Sequence, residues 1–511
     1  MKSQSALPLA VTPDLGRVLD PLPFASPGAF DPGLEAFLQE AAHHLCRWLG
    51  TAADRPPLPG LSLLPEVEPQ LLGVSGERLL ADLQLLMEGS YNPGHPGALA
   101  HLDPPPLTSS LVADLVCAGL NNNLLAEELS PTLSRLERSL CGWLARRVGL
   151  GDGASGVPAS GGSLSNLMAL VTARHSRGLQ TCGEAVVIGS ADLHVSIDKA
   201  LVVMGLAPEA LRRLPVDAAG RLDPGQLERE LIELERRGRP VIAVVASAGT
   251  TVRGAVDPLT AIAAVCRRHG VWLHVDGAIG GVLALSERHR ERVEGIGLAD
   301  SITLNPQKLL GITKTSSLLL LADPGLLPAT FATGLPYMEP SWGPCHGGES
   351  GLQGSRSAEI LKLWLGLRQL GLEGIDRLIE AAIGRRRRLR SALETALPQG
   401  ALSLLSGPLH LLAFRPAGLD ASASASWSAQ CRADLMAEQL MLSRPLYHGH
   451  HHLKAVLGNP HTGEAELEML VAVVKRSLPT IAAPNAAPNA GIGAASLGAV
   501  GNDNGARVSH G

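Results

Sequence analysis

Three short runs, EAVVIGS, PVIAVVASAG and VWLHVDGA, are largely apolar, and DSITLNP, with Ile302 and Leu304 at its centre, is read with them as a fourth. A strand with one wet face would carry a polar residue at every second position, so these runs predict strands buried on both sheet faces. Stretches with helical spacing of apolar residues lie between them, DPLTAIAAVCRRHG among them. Strands alternating with helices predict an α/β fold built on a mostly parallel, doubly wound sheet. The alternation spans a large domain, residues 108–374, preceded by a Pro- and Gly-rich arm or cap, residues 1–107, with helical patches such as GLEAFLQEAAHHLCRWLG. After GLEGIDRLIEAAIGRRRRLRSALETAL, a long basic amphipathic helix, a smaller C-terminal α/β domain covers residues 375–478. The tail, residues 479–511, repeats Ala, Asn, Gly and Pro and lacks the apolar surface that offsets ordering entropy, so disorder is expected there.

Composition narrows the function classes. The 511-residue chain is 45% hydrophobic and 18% charged, enough for a large core. LVADLVCAGL and SSLLLLADPGLL are too short or interrupted to cross a membrane, and the N-terminus is a poor secretory signal. A net charge of -5 exerts no general pull on nucleic acid, and the RRRR run on a helix is expected to be a solvated face or a subunit contact. Seven cysteines without CxxC spacing favour neither a disulfide framework nor a metal site, so a cytoplasmic enzyme is expected.

In an open α/β sheet the ligand sits at the carboxyl ends of the strands. His194 follows the first run, Thr250 and Thr251 the second, Asp276 the third, with Gly277 and Ala278 after it, and Lys308 the fourth. A lysine, a carboxylate, an imidazole and hydroxyls can thus share one crevice suited to pyridoxal phosphate. Lys308 would attach to the aldehyde, which needs a restricted, partly desolvated amine. Asp276 would keep the pyridine nitrogen protonated, Ala278 would lie under the ring and His194 on its opposite face. Gly161, Gly162 and Ser163 precede a helix whose N-terminus makes an anion site for the phosphate. Singly these are weak signals, because a glycine pair usually marks a tight turn and a lone lysine a snorkelling surface residue. Their order and shared placement carry the reading.

From Tyr91 to Leu470 the chain resembles the group II pyridoxal-phosphate-dependent amino-acid decarboxylases, the family acting on glutamate, cysteine sulfinate, 2,4-diaminobutyrate and aromatic amino acids. SGGSLSNLMAL, HVSIDKA, GTTVRGAVDPL, HVDGAIGG, NPQKLLGITKTSSLLL and GSRSAEILKLWLGLRQLG follow in the family's order. The resemblance implies an aspartate-aminotransferase-like fold (fold type I) and a homodimer with sites at its interface. It implies Lys308 as the cofactor lysine, Asp276 as the pyridinium partner and His194 as the stacking base. Gly162 and Ser163 become phosphate donors, Thr250, Ala278 and Gln307 ring contacts, and Ser355 a residue lent by the partner subunit.

Three departures matter. Gln307 stands where the family usually has a histidine and cannot titrate. The loop tyrosine that protonates the α-carbon has no clear counterpart, and its position falls in the region of Tyr337, Cys345 and His346. Lys454 replaces a carboxylate-binding arginine, keeping the charge but losing bidentate geometry. The expected reaction is decarboxylation of an L-amino acid to an amine and carbon dioxide. Aldehyde formation coupled to decarboxylation stays open, as does a non-catalytic scaffold that binds the cofactor. His101 in GHPGALAHL and the NPQK motif favour a small polar or acidic substrate side chain, contacted by His101 while Lys454 takes the α-carboxylate.

Overall fold

A computed structural model describes residues 22–61, 63–334, 342, 343 and 345–478. The tail expected to be disordered and Tyr337 lie outside the described residues. The four apolar runs form β2 (Val186–Ser190), β4 (Val241–Ser247), β5 (Trp272–Gly277) and β6 (Ser301–Leu304). They are joined in one sheet by β1 (Ser155–Ala159), β3 (Leu211–Leu214) and β7 (Ser317–Leu321). The order is β1-β7-β6-β5-β4-β2-β3. Neighbours from β3 through β6 pair in parallel, while β7 runs antiparallel to both β6 and β1.

Burial explains the absence of alternation in these runs. Val186 and Ile188 of β2 enter the core cluster on one face, packed with Leu227 and Leu231, whereas Val187 joins Leu170, Ile197 and Leu201 on the other. Each face is covered by helices, so neither face is solvated, and the few polar side chains on these strands, such as His274, Ser301 and Thr303, are buried. Pairing also sets the level of the strand ends: Ser247 lies opposite Asp276, and Asp276 opposite Thr303.

Beyond the large sheet, helix runs from Ile360 to Ala396, with Gly371 (φ 60, ψ 176) outside helical geometry and breaking it. A second sheet has antiparallel order β12-β9-β8, from β8 (Leu402–Leu405), β9 (Leu411–Pro416) and β12 (Leu453–Val456). A hairpin of β10 (Leu446–Tyr447) and β11 (His450–His451) turns through His448 (φ 48) and Gly449 (φ 79). Two central residues with positive φ are what a tight I′ hairpin requires.

The arginine run departs from expectation. Arg385 is buried and its Nε donates to the Leu457 carbonyl at 3.0 Å, while Arg386 Nε donates to the Leu409 carbonyl at 3.0 Å. Arg387 and Arg388 point outward to Glu380 and Glu464. Half of the run therefore fastens the helix to loops of the second sheet instead of forming a solvated face. Charge counting misses this because a guanidinium can satisfy orphan carbonyls as readily as it can meet solvent.

Candidate active site

The carboxyl ends of β4, β5 and β6 open onto a cavity of about 400 Å³. Gly162, Ser163, His194, Thr250, Asp276 and Ala278 line it, together with Gln307, Lys308, His101 and Lys454, all predicted from sequence. Ser355 is not among them: it is exposed, and its Oγ accepts from Asn123 Nδ2 at 3.2 Å. Cys345 and His346 do not line the cavity either. Cys345 Sγ sits 3.3 Å from Ser350 Oγ, and the buried His346 accepts the Glu127 N–H at Nδ1.

Lys308 is carried by a single helical turn, Pro306–Leu309, that starts as β6 ends. Pro306 at the first helical position loses no hydrogen bond there and presets the turn. Burial lowers the Lys308 pKa below the ordinary lysine value, against the opposing charges of Asp276 and then Asp103. Burial likewise lowers His194, with Asp276 acting in the other direction. Gln307 Oε1 accepts the Ser316 N–H at 2.7 Å, so this amide anchors the following segment as well as facing the cavity.

Asp276 has its oxygens fixed by separate donors, the Ala278 N–H at 3.1 Å and Asn166 Nδ2 at 2.9 Å. On the far wall Thr250 closes a turn, its Oγ1 accepting from the Ala255 N–H at 3.0 Å. Gly161 has φ 124 and ψ 159, a conformation that excludes a side chain. A Cβ on Gly162 would come within 3.0 Å of Asn305 Nδ2, so the helix Gly162–Ser176 begins where only glycine fits easily. Burial holds Lys454 down to about 8, with the charge of Lys308 adding to the effect.

Sequence reasoning missed Asn166, Asp103 and Asp192, all of which line the cavity. Asn166 follows Gly162 by four residues, the spacing that puts two helical positions on one face, and that spacing could have found it. Asp103 pairs with Lys314 at 3.1 Å. Asp192 accepts from Tyr447 Oη at 2.5 Å and meets His448 Nε2 at 3.0 Å. No local signal ties Asp192 to a hairpin some 255 residues away.

These residues fit pyridoxal phosphate: a glycine-lined helix N-terminus suits a phosphate, a carboxylate fixed from behind suits a pyridinium, and a desolvated amine suits an aldehyde. Fold and cavity together define a fold type I pyridoxal-phosphate enzyme. Residues 74–403 match the pyridoxal-dependent decarboxylase conserved domain. The chain belongs to the group II pyridoxal-phosphate-dependent decarboxylases and is an amino-acid decarboxylase. It is 34% identical over 366 residues to the cysteine sulfinic acid decarboxylase of Mus musculus, which covers 68% of this chain and 72% of the relative. It is 33% identical over 414 residues to the L-2,4-diaminobutyrate decarboxylase of Rhizobium meliloti (strain 1021), covering 79% and 81% respectively. The crystal structure of mouse CSAD superposes with a TM-score of 0.81 at 27% identity, covering 88% of this chain and 100% of that one.

Proposed function

We propose that the enzyme converts a small L-amino acid with a polar or acidic side chain into the corresponding amine and carbon dioxide. The cavity wall carries this reading. His101, Asp103, Asp192, Ser247, Ser443 and Lys454 supply its polar surface, and no Phe, Tyr or Trp stands among its described lining residues. An indole or phenol is normally held by aromatic and apolar walls. Relatives named for cysteine sulfinate and 2,4-diaminobutyrate, both small and polar, support the same class.

In this reading Lys308 holds the cofactor through its amine, and its lowered pKa leaves more of that amine unprotonated and able to attach. Gly162 and Ser163 hold the phosphate, Asp276 the ring nitrogen, Ala278 and His194 the two ring faces, and Thr250 and Gln307 the ring edge. Bound pyridoxal phosphate supplies the sink for the electrons of the broken Cα–carboxylate bond. Lys454 grips the α-carboxylate and His101 meets the distal group.

The working assembly is a homodimer in which Ser355 reaches the site of the second copy. Phe24, Phe30, Leu61 and Leu71, all largely exposed, support this, since a monomer rarely leaves so much apolar surface wet. Seven unpaired cysteines support a cytoplasmic setting. Among the described residues no helix is long and apolar enough to cross a membrane.

The test is an assay of purified holoenzyme against a panel of L-amino acids, measuring amine, carbon dioxide, aldehyde and peroxide. Equal amine and carbon dioxide from small polar or acidic substrates is the expected result. Turnover confined to aromatic substrates would overturn the substrate class, and aldehyde with peroxide would overturn the reaction.

A further inference from the structure

Asn166 is buried, and its amide meets four partners. Nδ2 donates to Asp276 Oδ2 and to Ser196 Oγ, each at 2.9 Å. Oδ1 accepts from Thr303 Oγ1 at 2.6 Å and from His274 Nε2 at 3.0 Å. Both donors and both acceptor sites of the amide are therefore in use.

The direction of each bond follows from groups that have only one role. Trp272 Nε1 can only donate and gives its hydrogen to Ser301 Oγ at 2.9 Å. Asn166 turns its NH₂ to the acceptor-only Asp276 carboxylate, so its Oδ1 faces His274 Nε2; that nitrogen carries the ring hydrogen, and Nδ1 accepts from Ser301 Oγ at 2.8 Å. Burial keeps this imidazole neutral, with its pKa lowered to about 4. A carboxylate can only accept, so the face of Asn166 toward Asp276 must be the NH₂. Ser196 Oγ, having accepted from that NH₂, sends its own hydrogen to His194 Nδ1 at 2.9 Å. The Ser196 backbone N–H, again only a donor, reaches the same nitrogen at 3.2 Å. Two donors on Nδ1 leave the hydrogen of His194 on Nε2.

We propose that Asn166 is a positioning residue that sets two cavity groups at once: it fixes Asp276 as an acceptor and, through Ser196, fixes His194 with Nδ1 accepting and Nε2–H left for the cavity. The proposal rests on the reading of Asp276 and His194 as cofactor-facing groups. It adds that His194 offers the cavity a hydrogen-bond donor and no basic nitrogen, which removes it as a general base in the resting enzyme.

The test uses full-length holoenzyme with ¹⁵N-labelled histidine, His194 being assigned through His194→Gln, together with the rate at which pyridoxal phosphate leaves the protein. Wild type should show an unprotonated Nδ1 and a protonated Nε2. Asn166→Asp turns the Ser196 hydroxyl toward the new carboxylate and leaves Nδ1 with the Ser196 backbone N–H alone, so the Nδ1 resonance should move further from the N–H range. Cofactor loss should quicken about tenfold in that variant, because Asp276 loses a hydrogen bond to a charged group. Ser196→Ala should shift the Nδ1 resonance, and Ser196→Thr, which keeps the hydroxyl, should restore it. That rescue keeps the proposal testable if Asn166→Asp does not fold. A wild-type proton on Nδ1 overturns the proposal, as does an Asn166→Asp protein with unchanged His194 signals and cofactor loss. Asp276→Asn serves as the control. Normal cofactor retention and turnover there would refute the reading of Asp276 itself, whereas an impaired Asp276→Asn beside a normal Asn166→Asp refutes only the positioning role.

Discussion

Lys454 Nζ donates to the Thr251 carbonyl at 3.3 Å, and among the described residues no carboxylate forms an ion pair with it. A buried cation with only a carbonyl for company is costly, and it suits a site that waits for an anion. Its pKa, lowered from 10.5 to about 8, measures that cost as about 3 kcal/mol at neutral pH. The folded state gives up this proton before the unfolded state does. The penalty is therefore full below pH 8, shrinks as pH rises toward 10.5 and vanishes above it. Lys454→Met should accordingly raise stability at pH 7 by up to about 3 kcal/mol, with a smaller gain at pH 10, as read by denaturant unfolding. In the same variant KM should rise about thirtyfold or more for every substrate, the loss expected for a charge-assisted contact to a carboxylate. Wild-type KM should climb as pH passes 8, where the ammonium is lost. A destabilised variant with normal KM would show that Lys454 is structural.

Lys308→Ala should abolish turnover and the borohydride-reducible link to the cofactor. Two other lysines, Lys314 and Lys199, are poorly placed for this role. Lys314 is exposed and paired with Asp103 at 3.1 Å, and Lys199 is exposed outside the cavity wall. Peptide mapping after reduction of the wild type should find the cofactor on Lys308. Finding it on either of the other two would relocate the site.

How much of this was legible in the sequence depends on how each element is buried. The four strands covered on both faces announced themselves as apolar runs, and their shared ends brought Lys308, Asp276 and His194 together. The edge strands did not: β1 is SGVPA, with a glycine and a proline that an edge tolerates, and β3 is LRRL. Although β7 is apolar after Ser317, an apolar run carries no sign of direction, so its antiparallel setting was invisible. Asn166 escaped because the anion-site signal ends at the glycine turn, Gly161 to Ser163, about one helical turn before it. Arg385 was misjudged because the carbonyl it serves lies 72 residues further along the chain.

Tyr447→Phe should test the tie between the β10–β11 hairpin and the cavity wall. Asp192 holds the Tyr447 hydroxyl at 2.5 Å, and its side chain is only 6% exposed. Removing the hydroxyl leaves a buried carboxylate oxygen short of a donor, which costs about 1–3 kcal/mol. A fall of a few degrees in Tm, with a moderate rise in KM, is expected. An unchanged Tm would mean that His448 or solvent replaces the bond without loss.

Substitution of His101 tests the proposed substrate class most directly. It lines the cavity yet remains partly open to solvent, and Tyr91 packs against it edge-on with ring centroids 5.5 Å apart. Burial first, and then the charge of Lys454, lowers its pKa, so at neutral pH it presents an uncharged imidazole to the cavity. A neutral ring can donate or accept one hydrogen bond to a distal polar group but adds no charge to it. His101→Ala should therefore change the ratio of kcat/KM between two substrates that differ at the distal group, by about tenfold for one lost hydrogen bond. Lys454→Met, by contrast, should weaken all substrates by the same factor, since each carries the same α-carboxylate. Cysteine sulfinate, glutamate and 2,4-diaminobutyrate compared across the two variants separate these patterns. If His101→Ala lowers every substrate equally while Lys454→Met alters only their ranking, the two residues have exchanged roles, and the substrate enters the cavity in the opposite orientation.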